Sequence, residues 1–239
     1  MTIRRRHTLQ RGLAGALALV LPPPLLAARS APFRRLAVVD PPFEEAYEVL
    51  IAMAPPLARG RIGSIINRAV TGADAQLKTD RLTAALDPDK TRLHEHFVHA
   101  LADALDDADV KVLLVPVDAA ANEAALIKEV RKKAPQADGI LLANVMGRFV
   151  ALHGLVAYSP GVMVGVKAQN PRGDAVWLEQ VFSAGFRGID PRAEHLEVVD
   201  MPEQFDDVSS LLAQVDAARN ALVRGVEAIA AEVAKRLMA

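Results

Sequence analysis

Six histidines and no cysteine occur in this chain of 239 residues, and three of those histidines fall in one octapeptide, Arg92-Leu93-His94-Glu95-His96-Phe97-Val98-His99. A zinc-protease helix needs two His at i and i+4 flanking a Glu. Here His94 and His99 are five apart, which on a helix turns them about 140° away from each other. His96 with His99, or Glu95 with His99, share a face and can each offer two ligands. A third has to come from elsewhere, and past residue 30 the remaining imidazoles are His153 and His195. The other reading is a polar helix face opposite Leu93, Phe97 and Leu101. That reading is preferred, so no metal and no other cofactor is expected.

A second group of candidates comes from strand ends. Arg35 to Asp40 and Val110 to Asp118 are apolar runs that each finish on an Asp, the first just ahead of Pro41-Pro42. Asn144 lies near the end of a third run, Gly139 to Met146. Ligands in open α/β sheets bind beyond the carboxyl ends of the strands, so Asp40, Asp118 and Asn144 are ligand-binding candidates for a divalent cation or a polar molecule. Asp and Asn also end strands and cap helices through their own backbone hydrogen bonds, and that reading is preferred here. The sequence has no Gly-x-Ser-x-Gly elbow. Gly60-Arg61-Ile62-Gly63-Ser64 lacks the spacing and Lys of a phosphate loop, so no catalytic residue is assigned.

These residues need a scaffold, and the apolar pattern supplies one. The three runs alternate with two helical stretches, one from Asp87-Pro88 with Leu93, Phe97, Leu101 and Leu105 on one side, the other capped by Asn122 with Leu126, Ile127 and Val130 inward. Strand, helix, strand, helix, strand implies parallel first strands joined by crossovers. Alternation in Val162 to Ala168 and Ala175 to Phe182 around Asn170-Pro171-Arg172-Gly173-Asp174 predicts an antiparallel hairpin. Phe149 to Tyr158 reads as a further strand, continuous with the third through Gly147. One long final helix carries the stripe Leu211, Val215, Ala218, Leu222, Val226, Ile229, Val233 and Leu237, and the hairpin with the 110–117 strand is the surface expected beneath it. Residues 43–86, rich in Ala, Leu and Ile, read as an inserted group of short helices. The expected fold is therefore α/β, a mixed sheet of about five strands packed by helices, in a single domain over residues 31–239.

Residues 1–30 stand apart. Arg4, Arg5, Arg6 and Arg11 precede the apolar run Leu13 to Leu21, then Pro22 to Pro24 and the small residues Ala27, Ala28 and Ser30. This is the layout of a bacterial export signal, cleaved after Ala28 or Ser30, and Arg5-Arg6 leaves the Sec and twin-arginine routes both open. The expected location is the periplasm. Losing the five Arg of residues 1–30 lowers Lys plus Arg from 28 to 23 against 29 Asp plus Glu, a balance near −6. Such a chain has no basic face for nucleic acid or anionic lipid. Without cysteine it has no lipobox and so no lipid anchor, and no apolar stretch after residue 30 has the length of a transmembrane span.

Arg172-Gly173-Asp174-Ala175-Val176-Trp177 fits the slot of a Thr-Gly-Glu-Val-Val-Trp-like strand in a group of bacterial envelope proteins. With the element order over residues 35–237, the chain resembles the TolB N-terminal domain, the periplasmic domain of the CsgG curli secretion protein, the LpoB penicillin-binding-protein activator and small periplasmic lipoproteins related to a neisserial antigen. The resemblance implies a non-enzymatic assembly or regulatory factor that binds another envelope protein or forms a homo-oligomer. Trp177 is the partner-binding candidate; its other reading is a core residue. The alternative function is a periplasmic hydrolase or metal-dependent enzyme using Asp40, Asp118 and a His at the strand ends.

Overall fold

The computed structural model describes residues 32–40, 47–51, 76–118, 122–151, 157–186, 192–198 and 204–239. Residues 1–31, His153 and most of residues 43–86, with Gly60 to Ser64, lie outside them. The elements are β1 (Arg35–Asp40), β2 (Tyr47–Ile51), α1 (76–86), α2 (Pro88–Thr91), α3 (Leu93–Asp106), β3 (Lys111–Pro116), α4 (Glu123–Lys133), β4 (Gly139–Ala151), β5 (Tyr158–Gln169), β6 (Val176–Gly185), β7 (Glu194–Leu196), α5 (Val208–Ala213) and α6 (Val215–Leu237).

They build a mixed sheet of seven described strands in the order β3-β1-β4-β5-β6-β7, with β2 also on β4. The α/β class, the parallel β1, β3 and β4 and the antiparallel β5–β6 hairpin are as expected, while two short strands raise the count above five. The chain passes from β1 outward to β3 through α3, then back over β1 to β4 through α4. Crossovers of one hand in opposite directions put their helices on opposite faces. One core accordingly joins Leu36, Val38, Leu141, Val164 and Phe182 to α3 and α6, and a smaller one joins Ala37, Val39, Val115 and Ile140 to Val130 of α4.

β2 departs from the helical reading of residues 43–86. Tyr47 to Ile51 pairs parallel with Gly147 to Ala151, continuing along β4 the line that β1 begins at Gly139. Tyr, Val and Ile favour a pleated surface, and the 13-residue β4 is long enough to offer a second segment for pairing. Residues 76–86 are helical, as expected.

The Asp87-Pro88 start also differs. Asp87 sits at φ 55° and makes no side-chain cap; its carboxylate is 2.8 Å from Lys90 Nζ, and that hydrogen bond holds its pKa below the usual range. A second left-handed residue, Arg92 at φ 44°, separates the one-turn α2 from α3. Asn122 does cap α4, its Oδ1 accepting from Ala125 N–H at 2.9 Å. In the hairpin, Asn170 Oδ1 accepts from Gly173 N–H at 2.8 Å, and Gly173 takes the φ of +80° that only glycine adopts without strain.

The final helix is two: α5 ends at Gln214, whose backbone leaves the helical region, and α6 follows. The stripe holds across the break, with all but the half-buried Val215 fully buried. α6 lies on β5, β6 and α3, while β3 packs against α3. The surface under the helix is thus the hairpin plus α3, because β3 stands at the far edge of the sheet.

Candidate functional site

The carboxyl ends of the parallel strands place the three polar candidates by simple alternation. Asp40 follows Leu36 and Val38 toward the α3 layer, and His94 at the start of α3 brings Nε2 to 3.9 Å from Asp40 Oδ1. The His94 side chain is 13% exposed and Asp40 40%. Asn144 follows Ile140 and Leu142 onto the α4 face, where it is exposed. Asp118, just past β3, joins the end of α4: its N–H reaches Glu129 Oε1 at 3.4 Å, and its carboxylate lies 3.9 Å from Lys133 Nζ. Lys133 also holds Glu129 at 2.7 Å, and their hydrogen bond lowers the pKa of Glu129 and raises that of Lys133. The fold therefore pairs Asp40 with an imidazole, assigns Asp118 to a surface ion cluster and leaves Asn144 on the other face. It does not bring the three together.

The histidine octapeptide is divided in the same way. His94 turns toward Asp40, His96 Nδ1 lies 3.7 Å from Glu227 Oε1 on α6, and His99 is exposed. Among the described residues no three His, Asp or Glu side chains gather as a metal site would require.

Trp177 is half-buried. Its ring meets Phe33 at a centroid distance of 5.1 Å, tilted by 35°, and its edge stands over Gly139. A register shift opposite Ala168 and Gln169 turns it toward the main core, while Val176 beside it stays exposed.

Two arrangements had no counterpart in the sequence reading. Ser183 of β6, nearly buried, lies with Oγ 3.3 Å from His195 Nδ1 on β7. These residues are twelve apart in the chain and meet because β7 pairs parallel with β6, setting Ser183 against His195. The second is the outer edge of β3. Lys111 N–H donates to the Arg34 carbonyl and Val117 N–H to that of Asp40. Odd-numbered residues of β3 thus bond inward to β1, and Val112, Leu114 and Pro116 turn their backbone groups outward. Pro116 has no N–H to offer there, and its carbonyl takes Lys133 Nζ at 2.9 Å. Among the described residues Val112 and Leu114 keep an open edge, with Leu114 45% exposed. Beside it is a groove of about 450 Å³ lined by Ala102, Asp106, Asp109, Val110, Lys111 and Val112. Pro116 inside an apolar run is the sequence signal for such an edge.

No helix among the described residues is long and apolar enough to cross a membrane. No protein-family model matches the chain, and no curated protein matches its sequence. Among solved structures the chain is similar to the hypothetical protein CT253 from Chlamydia trachomatis, at 12% identity over 63% of this chain and 71% of that one, with a TM-score of 0.27.

Proposed function

We propose that this chain is an exported periplasmic protein that binds another cell-envelope component as an assembly or regulatory factor and catalyses no reaction. The observation that carries the reading is the open β3 edge beside a shallow groove, a surface suited to strand addition, set against polar candidates divided between two faces of the sheet. The arrangement of residues 1–30 supports export, and the resemblance to the TolB, CsgG and LpoB group supports a binding role. A hydrolase or metal-dependent enzyme is the second reading, favoured by the Asp40–His94 pair at a strand carboxyl end.

The test is a photo-crosslinking residue at Leu114 in cells, followed by fractionation and N-terminal sequencing. The binding reading expects periplasmic protein beginning near Arg29 or Ala31, crosslinked to an envelope component; a crosslink to its own copy alone counts against a separate partner at this edge. An intact Met1 in the cytoplasm overturns the export assignment. Hydrolytic turnover by the purified chain that is lost in both Asp40→Asn and His94→Ala overturns the binding reading in favour of the enzyme.

A further inference from the structure

We infer that the open edge of β3 pairs with the same edge of a second copy of this chain, joining two sheets across a two-fold axis at Leu113. This goes beyond the envelope reading, which rests on the same edge, by naming a second copy of this chain as its occupant, and it follows from the backbone of β3 alone.

The outward donors select the arrangement. In an antiparallel edge pair, residues whose backbone groups face the partner must lie opposite one another, and each such pair exchanges both N–H···O bonds. On β3 the outward residues are Val112, Leu114 and Pro116. A pair centred on Leu114 sets Val112 against Pro116, which has no N–H. A pair centred on Val112 sets Leu114 against Val110, whose N–H is already given to the Leu105 carbonyl at 3.3 Å. Centring on Leu113 sets Val112 of each copy against Leu114 of the other and satisfies every open donor. The chain is then self-complementary in one register.

Side chains agree with that register. Val112 and Leu114 both lie on the α3 face, so each half-exposed Leu114 gains an apolar cross-strand neighbour. At the strand ends Pro116 of one copy meets Val110 of the other. Lys133, whose ammonium hangs on the Pro116 carbonyl, then approaches the exposed acidic turn that contains Asp106 and Asp109. A long apolar edge with a single Pro is only partly protected against pairing, and here the protection stops at Pro116.

The experiment uses the chain as the cell processes it and reads mass by sedimentation or light scattering, with no envelope component present. A dimer is expected. Leu114→Pro removes one outward N–H and no bond to β1, and Leu114→Lys places a charge on the edge; each should weaken dimerisation at least about tenfold. Because the chain has no cysteine, Leu113→Cys reports the register directly. The two Cys stand opposite in a non-hydrogen-bonded pair with Cα atoms about 4.5 Å apart, within disulfide reach. Oxidation should therefore link Leu113→Cys chains. Leu114→Cys, offset from its own copy by about 8 Å, should stay unlinked. A monomer at micromolar concentration, a dimer unaffected by both Leu114 variants, or linkage at position 114 instead of 113 overturns the inference.

Discussion

Two glycines on the central strands should respond in opposite directions to the same added methyl. Gly147 lies where β2 joins β4, and a Cβ there would stand 2.9 Å from Tyr47 Cδ1, 3.0 Å from Leu93 Cδ1 and 3.2 Å from Leu222 Cδ1. The two leucine tips can turn aside. The tyrosine ring cannot, because Cδ1 is fixed close to its backbone and Tyr47 N–H is held by Thr83 Oγ1 at 3.1 Å. Overpacking of this kind costs about 1–3 kcal/mol, whereas replacing Gly by Ala within a strand returns about 0.5–1 kcal/mol. The net for Gly147→Ala is a loss of about 1 kcal/mol. Among the described residues no atom beyond its chain neighbours lies within 4 Å of the same carbon added at Gly165 of β5, so Gly165→Ala keeps only the gain. With a urea slope of about 2 kcal/mol/M, the midpoint should fall by about 0.5 M for the first variant and rise by about 0.3 M for the second. Tyr47→Ala in the Gly147→Ala background should cost less than in the wild type by at least about 0.5 kcal/mol, because it vacates the one contact that cannot yield. Equal shifts for the two alanine variants, or a stabilised Gly147→Ala, would refute the packing argument.

Further outcomes follow from the helices. Leu222→Asp buries a carboxylate in the main core and should leave the chain unfolded or aggregated, read by far-UV circular dichroism and light scattering; a folded variant would show that the stripe is an intermolecular surface. Arg219→Ala and Glu232→Ala both remove a charge from α6, off its buried stripe, yet they should differ in cost. Arg219 donates to the Leu86 carbonyl at 3.0 Å and to the buried Thr91 hydroxyl at 3.2 Å, tying α6 to α1 and α2, so its loss should cost about 1.5–3 kcal/mol in a denaturant titration. Among the described residues Glu232 holds its helix neighbours Arg236 and Lys235, worth about 0.2–0.5 kcal/mol each. Those bonds, the one from Arg236 first, depress its pKa. Its stabilisation is therefore present above the unfolded-state value and lost as pH falls through the folded one, so the wild type and Glu232→Gln should converge in melting temperature on the acid side. Purified protein should contain no stoichiometric zinc, and His96→Ala with His99→Ala should melt as the wild type does with or without chelator; one zinc per chain by elemental analysis would reverse this.

Local chemistry was legible in the residues themselves. Alternation in Val162 to Ala168, the Asn170–Gly173 turn, the Asn122 cap and the stripe from Leu211 to Leu237 each depend on neighbours within a few positions, and period and side-chain type are enough to read them. The sequence likewise separates His94 from His99, since helix geometry alone sets that angle. Tertiary structure decided the rest, because the deciding contacts lie far apart in the chain. Tyr47 to Ile51 is a strand because the second half of β4, a hundred residues on, offers it a ladder. Asp40 and Asn144 point to opposite faces because one register places them on opposite parities of neighbouring strands. Arg219 is held because α6 crosses the α1–α2 corner. The open edge, too, became visible only with the order β3-β1-β4: Pro116 signals some edge, but the neighbour on its inner side determines which backbone groups face outward.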